Sequence, residues 1–530
     1  MKKKINFYFR VNSDSKIGIG HLMRTYRLAK KLKEKGHKCT FCLDKITKFE
    51  KIIKSFKIIY LYKKKNSFNN EILDSKLFLK IIDTPNQIVV VDDYRLGHKW
   101  EKEISKNNHK VISFDDLEDR KHYCDIYINY RPNFVENKNF NQNLILNKNC
   151  KMLIGPKYSV IDSKIQKHKK LKDKKIFKIC FYMGGSGDMF QIYKIIEELI
   201  FTKFYNLKNI KLFVVVGPFS KNFHLIKKLS YKHKNIKIII NKNNLDKIIS
   251  ESNLIVGSAG NIVYEASFYN IPCLLFEVSK NQGNDIFSME KIGHYFVLPK
   301  NYLNYFKKIS QLIHLMFVEY KRIKKLPKAK KLRIDNRGLD RIINKIFSLN
   351  IINKNLIVNK SSKILKENSI SNQYKILKVD DTEINYYLFV RNLIINRKVS
   401  TSKKIISNLN HYIWWLTTKR NSFCLTKNNI KILFLYDETI RFDLKNFSLQ
   451  GWFLISKQCS LQDILYALNW QKKYIYKKKN IDLSIGMIKK KNKINFSKYL
   501  GWRSVNQLSK TSKILKKIYK VKNNYLFYER

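Results

Sequence analysis

Long hydrophobic runs are absent from this sequence, although 44% of its 530 residues are hydrophobic. No stretch approaches the roughly 20 consecutive apolar residues that a membrane-spanning helix needs. The basic start, Met1 to Lys4, leads into a short apolar strand and not into the apolar run of a secretory signal. We therefore expect a cytoplasmic protein without a transmembrane segment, divided at this length into about three domains.

Cysteine is also sparse, with eight residues at scattered positions that need not pair, which suits a reducing compartment. Cys39 and Cys42 form one CxxC pair, but no second pair lies nearby to complete a zinc site. We expect these thiols to be half-buried at the end of a strand. We expect no metal site.

Acidic residues are few: 41 Asp and Glu face 106 Lys and Arg, which gives a formal net charge of +65. Such a charge attracts anionic ligands and surfaces. Lysine far outnumbers arginine, however, whereas recognition of bases and phosphates favours the arginine fork. The lysines are dispersed, and the aromatic residues follow the apolar periodicity. We expect no specific nucleic-acid partner; steep salt dependence of DNA binding would indicate one.

Before residue 350, short apolar segments alternate with helical segments, which predicts parallel sheets with helices on both faces. The pattern restarts after a lysine-rich connector at 168–175. We predict an α/β protein with Rossmann-like domains at 1–165 and 166–348, a linker at 349–372 and a third unit at 373–530. The expected strands are Lys4–Val11, Lys38–Leu43, Ile88–Asp92, Lys110–Phe114, Ile126–Asn129, Lys175–Met183, Leu212–Val216, Ile236–Ile240, Leu254–Val256 and Cys273–Phe276. Loops at the carboxyl ends of both sheets are expected to face a common cleft.

A glycine-rich turn, Gly18-Ile19-Gly20-His21, follows the first predicted strand and opens a helix. Glycines let the backbone approach a ligand closely, and a helix N-terminus offers unpaired N–H groups and partial positive charge. A histidine there is placed to handle a proton beside a phosphorylated ligand. Arg24 lies three residues later, on the same helical face. We take His21 as the candidate catalytic residue.

Other loops carry weaker signals, because each could also be an ordinary helix start. Asp92 and Tyr94 follow the strand Ile88–Asp92 at its carboxyl end. In the second half, small residues that would admit a diphosphate precede two predicted helices, and Glu265 lies one turn inside the second helix, where it would accept from ribose hydroxyls. The residues of these second-half loops are Gly184, Gly185, Ser258, Gly260, Asn261, Asn281 and Gln282.

The spacing at residues 10–24, Arg-x-Asn-x(4)-Ile-Gly-x-Gly-His-x-x-Arg, resembles the opening of the UDP-sugar hydrolases of the pseudaminic acid pathway. These enzymes release UDP from UDP-2,4-diacetamido-2,4,6-trideoxy-β-L-altropyranose. The resemblance continues, in the same order and over about residues 4–346, through Val90-Val91-Asp92-Asp93-Tyr94, Phe114-Asp115-Asp116, His122-Tyr123-Cys124-Asp125, Leu153-Ile154-Gly155-Pro156-Lys157-Tyr158, Met183-Gly184-Gly185, Ser258-Ala259-Gly260-Asn261-x-x-x-Glu265 and Lys280-Asn281-Gln282.

This resemblance implies two Rossmann-like domains of glycosyltransferase-B type, with the sugar on the first domain and UDP mainly on the second. It implies water attack at the anomeric carbon assisted by His21, without a metal or cofactor. The implied contacts to the UDP-sugar substrate are Arg10, Asn12, Gly20, Arg24, Asp92, Tyr94, Gly184, Gly185, Ser258, Gly260, Asn261, Glu265, Asn281 and Gln282. The family usually has Asp at the position of Asn12, so activity could be reduced or the substrate changed.

The third unit resembles the GNAT-type N-acetyltransferases that act on nucleotide sugars, which implies an α+β fold. Val390-Arg391-Asn392, followed by Arg397, Ser400 and His411, resembles the start of that fold, and Asn492-x-x-Asn495-Phe496 with Tyr499-Leu500-Gly501-Trp502 resembles its end. Arg391, Asn392 and His411 are the candidate site residues. The glycine loop that normally grips the pyrophosphate of acetyl-CoA is replaced by Gln458-Cys459-Ser460-Leu461-Gln462-Asp463.

Two interpretations of the third unit follow. An active acetyltransferase would use acetyl-CoA, whereas a degenerate domain would serve packing or substrate capture; the missing glycines favour the second. For the first two domains, the alternatives to a hydrolase are an inverting UDP-sugar glycosyltransferase, which needs an acceptor site, and a non-catalytic nucleotide-sugar-binding protein. The sequence leaves the oligomeric state open.

Overall fold

The computed structural model describes residues 4–12, 19–46, 50–62, 67–82, 84–132, 141–162, 176–185, 187–202, 209–240, 245–279, 282, 286–349, 374–400, 403–442, 445–478, 481–489, 501–519 and 525–529. The chain divides into two compact units, Met1–Leu356 and Ile357–Arg530. Except for Leu349, the predicted linker lies outside the described residues. Within the described ranges, no helix is long and apolar enough to cross a membrane.

The first sheet of the first unit has seven parallel strands in the order β3-β2-β1-β4-β5-β6-β7. Its strands are β1 (Asn6–Val11), β2 (Lys38–Leu43), β3 (Lys57–Tyr60), β4 (Ile88–Asp92), β5 (Lys110–Phe114), β6 (Ile126–Asn129) and β7 (Lys151–Ile154). Its helices are α1 (Gly20–Glu34), α2 (Glu50–Ile53), α3 (Glu71–Leu79) and α4 (His98–Ser105). The strand order reverses between β1 and β4, and ligands of open α/β sheets bind at such a point.

The second sheet repeats this topology with six parallel strands in the order β10-β9-β8-β11-β12-β13. Its strands are β8 (Phe177–Tyr182), β9 (Ile210–Val216), β10 (Ile236–Ile240), β11 (Leu254–Ser258), β12 (Cys273–Glu277) and β13 (Phe296–Pro299). Its helices are α5 (Met189–Phe201), α6 (Phe223–Lys232), α7 (Asp246–Glu251), α8 (Ile262–Tyr269), α9 (Ile286–Lys291), α10 (Phe306–Val318), α11 (Tyr320–Ile323) and α12 (Gly338–Ser348). The last helix, α12, returns to pack against α1. Two such sheets fit the glycosyltransferase-B arrangement.

Local sequence explains why the predicted strands form. All five residues of β4, Ile-Val-Val-Val-Asp, are buried, as in a parallel strand covered on both faces. The strands β3, β7 and β13, each four residues long, were not predicted. Cys39 and Cys42 lie within β2 and are buried, not half-buried as expected.

Helix α1 is amphipathic, since Leu22, Leu28 and Leu32 are buried while lysines cover its outer face. It ends before Gly36, whose φ of +89° is the left-handed conformation that favours glycine. The predicted helix from His21 to Lys35 is therefore confirmed to within one residue at each end.

The second unit is a mixed seven-stranded sheet in the order β14-β15-β16-β17-β18-β20-β19. Its strands are β14 (Tyr374–Lys378), β15 (Asn421–Lys427), β16 (Ile430–Phe442), β17 (Lys445–Leu454), β18 (Leu483–Lys489), β19 (Arg503–Ser504) and β20 (Tyr525–Glu529). Its helices are α13 (Ile384–Asn392), α14 (Ile394–Val399), α15 (Asn408–Thr417), α16 (Leu461–Tyr476) and α17 (Lys510–Tyr519). Strands β17 and β18 are parallel, and the other pairs are antiparallel. This agrees with an α+β class; the likeness to acetyltransferases stays a prediction.

Candidate active site

Loops from both sheets of the first unit line a cavity of about 1070 Å³. This volume lies slightly above the roughly 300–1,000 Å³ typical of small-molecule sites. Eleven of the predicted site residues line it: Gly20, His21, Arg24, Tyr94, Gly184, Gly185, Ser258, Gly260, Asn261, Glu265 and Gln282. Residues separated by more than 200 positions are thereby brought to one site.

His21 lies in the first turn of α1, and its ring is fixed by a carboxylate of the neighbouring strand. Its Nδ1 is 2.5 Å from Oδ1 of Asp92, the last residue of β4. An ionised carboxylate only accepts hydrogen bonds, so the neutral ring carries its proton on Nδ1. Nε2 then has a free lone pair, and no described residue donates a hydrogen bond to it. The pair has the arrangement of a general base with its orienting acid.

Asp92 is 1% exposed and is held ionised by the cationic Arg24 and by the hydrogen bond from His21. Arg24 donates to it from Nε (2.5 Å) and from Nη2 (2.6 Å), as a two-pronged fork. Burial alone would raise the pKa of Asp92, but Arg24 and His21 outweigh burial and hold that pKa well below its usual value. Asp92 does not line the cavity, and it therefore affects the site only through its hydrogen bond with Nδ1 of His21.

The remaining guanidinium nitrogen of Arg24 contacts a second carboxylate, that of Asp116, which lies two residues after the adjacent strand β5. Nη1 of Arg24 donates to Oδ2 of Asp116 at 2.9 Å. Tyr94 Oη donates to the other oxygen of Asp116, and the Tyr94 ring meets the His21 ring edge-on, with centroids 4.4 Å apart. The base is thus enclosed by one connected set of hydrogen bonds, which limits its rotation.

Glycines bring the backbone of the second sheet close to the cavity. Gly184, directly after β8, has a φ of +82°, which a side chain rarely adopts. A Cβ on Gly217 would lie 2.6 Å from the carbonyl oxygen of Gly184 and 2.5 Å from that of Gly185. Two main chains therefore pack in contact here, and the backbone of the Gly184–Gly185 turn faces the ligand space.

Helix α8 points its N-terminus at the same cavity, which Ser258, Gly260 and Asn261 line. No side chain caps this helix among the described residues. Tyr130, at the end of β6, donates from its hydroxyl to Oδ1 of Asn261 at 3.2 Å. Uncapped N–H groups and the positive end of the helix dipole favour an anion at this point.

Glu265, in the first turn of α8, contacts the helix that carries His21. Nη2 of Arg27, on α1, donates to Glu265 Oε1 at 2.5 Å, while Nη1 donates to the carbonyl of Val160 at 2.8 Å. Both Arg27 and Glu265 line the cavity. The acidic side chain predicted to accept from ribose is thus already paired across the cleft.

Besides Asp92, two more predicted contacts lie outside the cavity lining. Arg10 is fully buried and pairs with Asp74 (2.7 Å) and Asp44 (2.6 Å). Asn12 donates from Nδ2 to the same Asp44, at 3.3 Å. Arg95 also donates to the carboxylate of Asp44, through both Nη1 and Nη2. The structure therefore places Arg10 and Asn12 in a buried ionic cluster next to the site, not against the ligand space.

The loop after β12 is only partly described. Gln282 lines the cavity, and its Oε1 accepts from the backbone N–H of Val278 at 3.2 Å. Asn281 lies outside the described residues, as do Gly18 and Lys280.

Sequence reasoning missed Arg27 and Tyr130, and it noted Asp116 only as part of an acidic loop. All three line the cavity. Tyr130 directly follows β6 and Asp116 lies two residues after β5, and such positions at the carboxyl ends of parallel strands are a usable signal. Arg27 carries no signal of its own, because its partner lies 238 residues away.

In the second unit, two of the three predicted residues are already engaged by the backbone. Asn392 bonds both the carbonyl and the N–H of Ile406, each at 2.9 Å. His411 is 2% exposed and contacts the carbonyl of Ile384 through Nε2, and burial lowers its pKa to about 4. Arg391 is half-buried, and its Nη1 is buried without a hydrogen-bond partner.

The segment 458–463, which replaces the acetyl-CoA loop, forms hydrogen bonds within itself. Ser460 caps α16 by accepting from the N–H of Asp463 (3.2 Å), and Asp463 accepts from the N–H of Ser460 (2.8 Å). Tyr374 and Lys427 also donate to Asp463. Burial would raise the pKa of Asp463, but these hydrogen bonds lower it to about 2. An ionised carboxylate thus occupies the first turn, and these residues do not fit a pyrophosphate.

No family model matches the chain. It is 28% identical over 290 residues, 54% of its length and 96% of the relative's, to the UDP-2,4-diacetamido-2,4,6-trideoxy-beta-L-altropyranose hydrolase of Campylobacter jejuni. It is 28% identical over 278 residues, 49% of its length and 53% of the relative's, to an uncharacterized protein of Methanocaldococcus jannaschii.

Solved structures match this chain at lower sequence identity. MurG of Acinetobacter baumannii has 10% identity and a TM-score of 0.44, covering 65% of this chain and 100% of that one. A putative UDP-N-acetylglucosamine 2-epimerase of Listeria monocytogenes has 13% identity and a TM-score of 0.43, covering 67% and 100%. The resemblance that the motifs indicated is confirmed by the sequence match: this chain is similar to a UDP-sugar hydrolase.

Proposed function

We propose that the first unit hydrolyses a UDP-linked 2,4-diacetamido-2,4,6-trideoxyhexose to the free sugar and UDP, in the synthesis of nonulosonic acids in the cytoplasm. The observation that carries this proposal is the His21–Asp92 pair, of which His21 lines the cavity. The sequence similarity to a hydrolase of this substrate class supports it.

The chemical step follows from the free lone pair on His21 Nε2. A water molecule attacks the anomeric carbon and gives a proton to Nε2, while the bond from that carbon to the diphosphate oxygen breaks. The electron pair of the broken bond leaves with UDP. Asp92, ionised and 2.5 Å from Nδ1, stabilises the imidazolium as it forms.

The leaving diphosphate gains negative charge, and the second sheet offers fixed donors for it. These are the uncapped N-terminus of α8 at Gly260 and Asn261 and the backbone of the turn at Gly184 and Gly185. Such preorganised dipoles stabilise an anion without a metal ion. We therefore expect the reaction to need no metal.

The nucleoside is expected next to Glu265, in the first turn of α8. Ribose hydroxyls would bond the carboxylate that Arg27 now contacts. Bound UDP would therefore compete with Arg27 for the carboxylate of Glu265. The Arg27–Glu265 ion pair joins α8 to α1, the helix that carries His21.

Hydrolysis in oxygen-18-labelled water tests the step directly. Attack at carbon places the label on the anomeric hydroxyl of the free sugar and leaves UDP unlabelled. Label in UDP would mean attack at phosphorus and would overturn the mechanism. UDP binding without any release would favour a non-catalytic nucleotide-sugar-binding protein.

For the second unit we propose a role without acetyl-CoA. The self-capped start of α16, with the ionised Asp463 in its first turn, supports this. A diphosphate approaching there would meet a like charge and N–H groups already bonded within the protein. The unit is then a binding or packing module.

A further inference from the structure

Two cysteines lie side by side at one edge of the first sheet. The Sγ atoms of Cys124 and Cys150 are 3.8 Å apart, although the two residues are 26 positions apart in the chain. Cys124 lies two residues before β6 and is fully buried, whereas Cys150 directly precedes β7 and is half-buried. Within the described ranges, no other two cysteine sulfurs are in contact.

The backbone holds both thiols in this position. The N–H of Lys151 donates to the carbonyl of Asp125 at 2.8 Å, so the chain next to each cysteine is paired. Asn147 donates from Nδ2 to the carbonyl of Cys124 at 3.0 Å, and its own carbonyl accepts from the N–H of Cys150 at 3.0 Å. A disulfide bond is about 2 Å long, so the two sulfurs have to approach by roughly 1.8 Å. Rotation of the side chains can supply this movement without a shift of the strands.

The CxxC pair in the sequence cannot form such a bond. Cys39 and Cys42 are three residues apart in β2, which places them on opposite faces of the sheet, about 10 Å apart along the strand. Sγ of Cys39 donates to the carbonyl of Ala29 on α1, at 3.6 Å. Cys42 packs on the other face, in the core cluster that contains Phe78 and Trp100. The fold therefore separates the cysteines that are close in sequence and joins two that are distant.

We propose that Cys124 and Cys150 form a reversible disulfide when the protein meets a hydroperoxide. The thiolate of Cys150 attacks a peroxide oxygen, the O–O bond breaks, and Cys150 becomes a sulfenic acid. The sulfur of Cys124 then attacks the sulfur of Cys150, the S–O bond breaks, and water leaves with the proton of Cys124. The two thiols lose two electrons in total, which reduce the peroxide, and a thiol reductant reverses the bond.

Burial determines which cysteine reacts first. Because Cys124 is fully buried, its pKa lies well above the usual value, and it stays a thiol. Cys150 is half-buried, so a small oxidant can reach it. Disulfides of proteins in reducing compartments are usually transient, and a pair with one accessible thiol fits that use.

The bond fastens the edge of the first sheet. Strand β7 is the last in the strand order, and four residues pair it with β6, its only neighbour in that sheet among the described strands. The loop that the disulfide closes contains Tyr130 and Arg131, which line the cavity. A cross-link lowers the entropy of the unfolded chain, so this edge opens less often. Oxidation therefore stabilises the first unit, and this inference does not depend on the function proposed above.

The test uses the full chain, reduced and then treated with hydrogen peroxide under native conditions. The remaining thiols are alkylated without reduction, and tryptic peptides are identified by mass spectrometry. A disulfide joins the peptides 122–138 and 149–151. The variants are Cys150→Ser and Cys124→Ala. The matched control is Cys459→Ser, because Cys459 is also half-buried but lies outside the pair.

We expect the joined peptide in the wild type and in Cys459→Ser, and its loss after dithiothreitol. Neither Cys150→Ser nor Cys124→Ala should give it. In Cys124→Ala, the sulfenic acid of Cys150 has no thiol to condense with, so dimedone should label it. Oxidation should raise the melting temperature of the first unit by about 5 °C in the wild type and leave that of Cys150→Ser unchanged.

Four results would overturn the proposal. One is a cross-link that forms only after denaturation, or that Cys459→Ser fails to form. The second is a disulfide between Cys39 and Cys42 instead. The third is the absence of dimedone label on Cys150 in Cys124→Ala. The fourth is an oxidised wild type that melts at the same temperature as the reduced protein.

Discussion

Arg27 and Glu265 lie 238 residues apart and join the two sheets of the first unit, with the Arg27 Nη2 donor 2.5 Å from Glu265 Oε1. Arg27 is on α1, two turns after His21, and Glu265 is in the first turn of α8. The ion pair therefore ties the helix of the candidate base to the helix expected to hold the nucleotide.

Replacing Arg27 by Gln should destabilise the first unit. Glu265 is 6% exposed, and it would lose its cationic partner. Breaking a buried pair from one side costs about 3 kcal/mol. Calorimetric unfolding measures this, with Lys30→Gln as the control. Lys30 and Asp162 are 3.4 Å apart at a more exposed position, so that change should cost about 1 kcal/mol or less. Equal losses of unfolding free energy in Arg27→Gln and Lys30→Gln would contradict a buried Arg27–Glu265 pair.

Changing Asp92 to Asn should abolish most turnover while UDP still binds. The amide has no charge to stabilise the imidazolium, and it can donate to Nδ1, which would place the ring proton on Nε2 instead. In serine proteases the same change costs about 10⁴-fold, and we expect a loss on the order of 10³-fold here.

Asp93→Asn is the matched control, because Asp93 is buried beside Asp92 but pairs with Arg95. It should retain turnover within about tenfold, since Asp93 does not contact His21. If both variants lose turnover equally, the effect comes from the turn as a whole and not from the His21–Asp92 contact.

His122 should make stability fall in alkali. The ring is fully buried, 2.8 Å from Glu101 and 3.6 Å from Asp115. Burial would lower the pKa of His122, but these two carboxylates raise it to about 9. A raised pKa stabilises the folded state fully below the unfolded pKa of about 6.5, and that contribution is lost as the pH rises through 9.

The difference in melting temperature between wild type and His122→Gln should therefore shrink between about pH 6 and pH 9.5. His109→Gln serves as the control, because burial lowers the pKa of His109 and the sign of the effect is therefore opposite. Wild type should gain stability relative to His109→Gln as the pH rises through about 6.5, with no loss towards pH 9.5. A constant difference for His122→Gln would mean that the His122 ring is not charged.

Acetyl-CoA should give no shift in the melting temperature and no labelled product in a transfer assay with the second unit present. The start of α16 already uses Ser460 and Asp463 to bond its own N–H groups. A positive shift at millimolar acetyl-CoA, or acetyl transfer to an amino sugar, would contradict the proposed role of this unit.

The sequence predicted the two parallel sheets because their central strands are continuous apolar runs, of which β4 is the clearest. It predicted His21 and the glycine turns because spacing along one strand–turn–helix unit determines where those residues lie. It could not predict that Asp92 bonds Nδ1 of His21 instead of contacting the ligand, since that depends on how α1 packs on β4. Arg10 was predicted as a ligand contact from the family resemblance, but it pairs with Asp44 and Asp74, which are distant in sequence, and does not line the cavity.

The central claim is that His21 is the base of a metal-independent UDP-sugar hydrolase. UDP release from UDP-2,4-diacetamido-2,4,6-trideoxy-β-L-altropyranose, measured with EDTA present, tests it most directly in the wild type, in His21→Ala and in the exposed control His224→Ala. The account predicts turnover by the wild type and the control and a loss of about 10²–10⁴-fold in His21→Ala. Equal turnover by all three proteins, or turnover that EDTA abolishes, would contradict it.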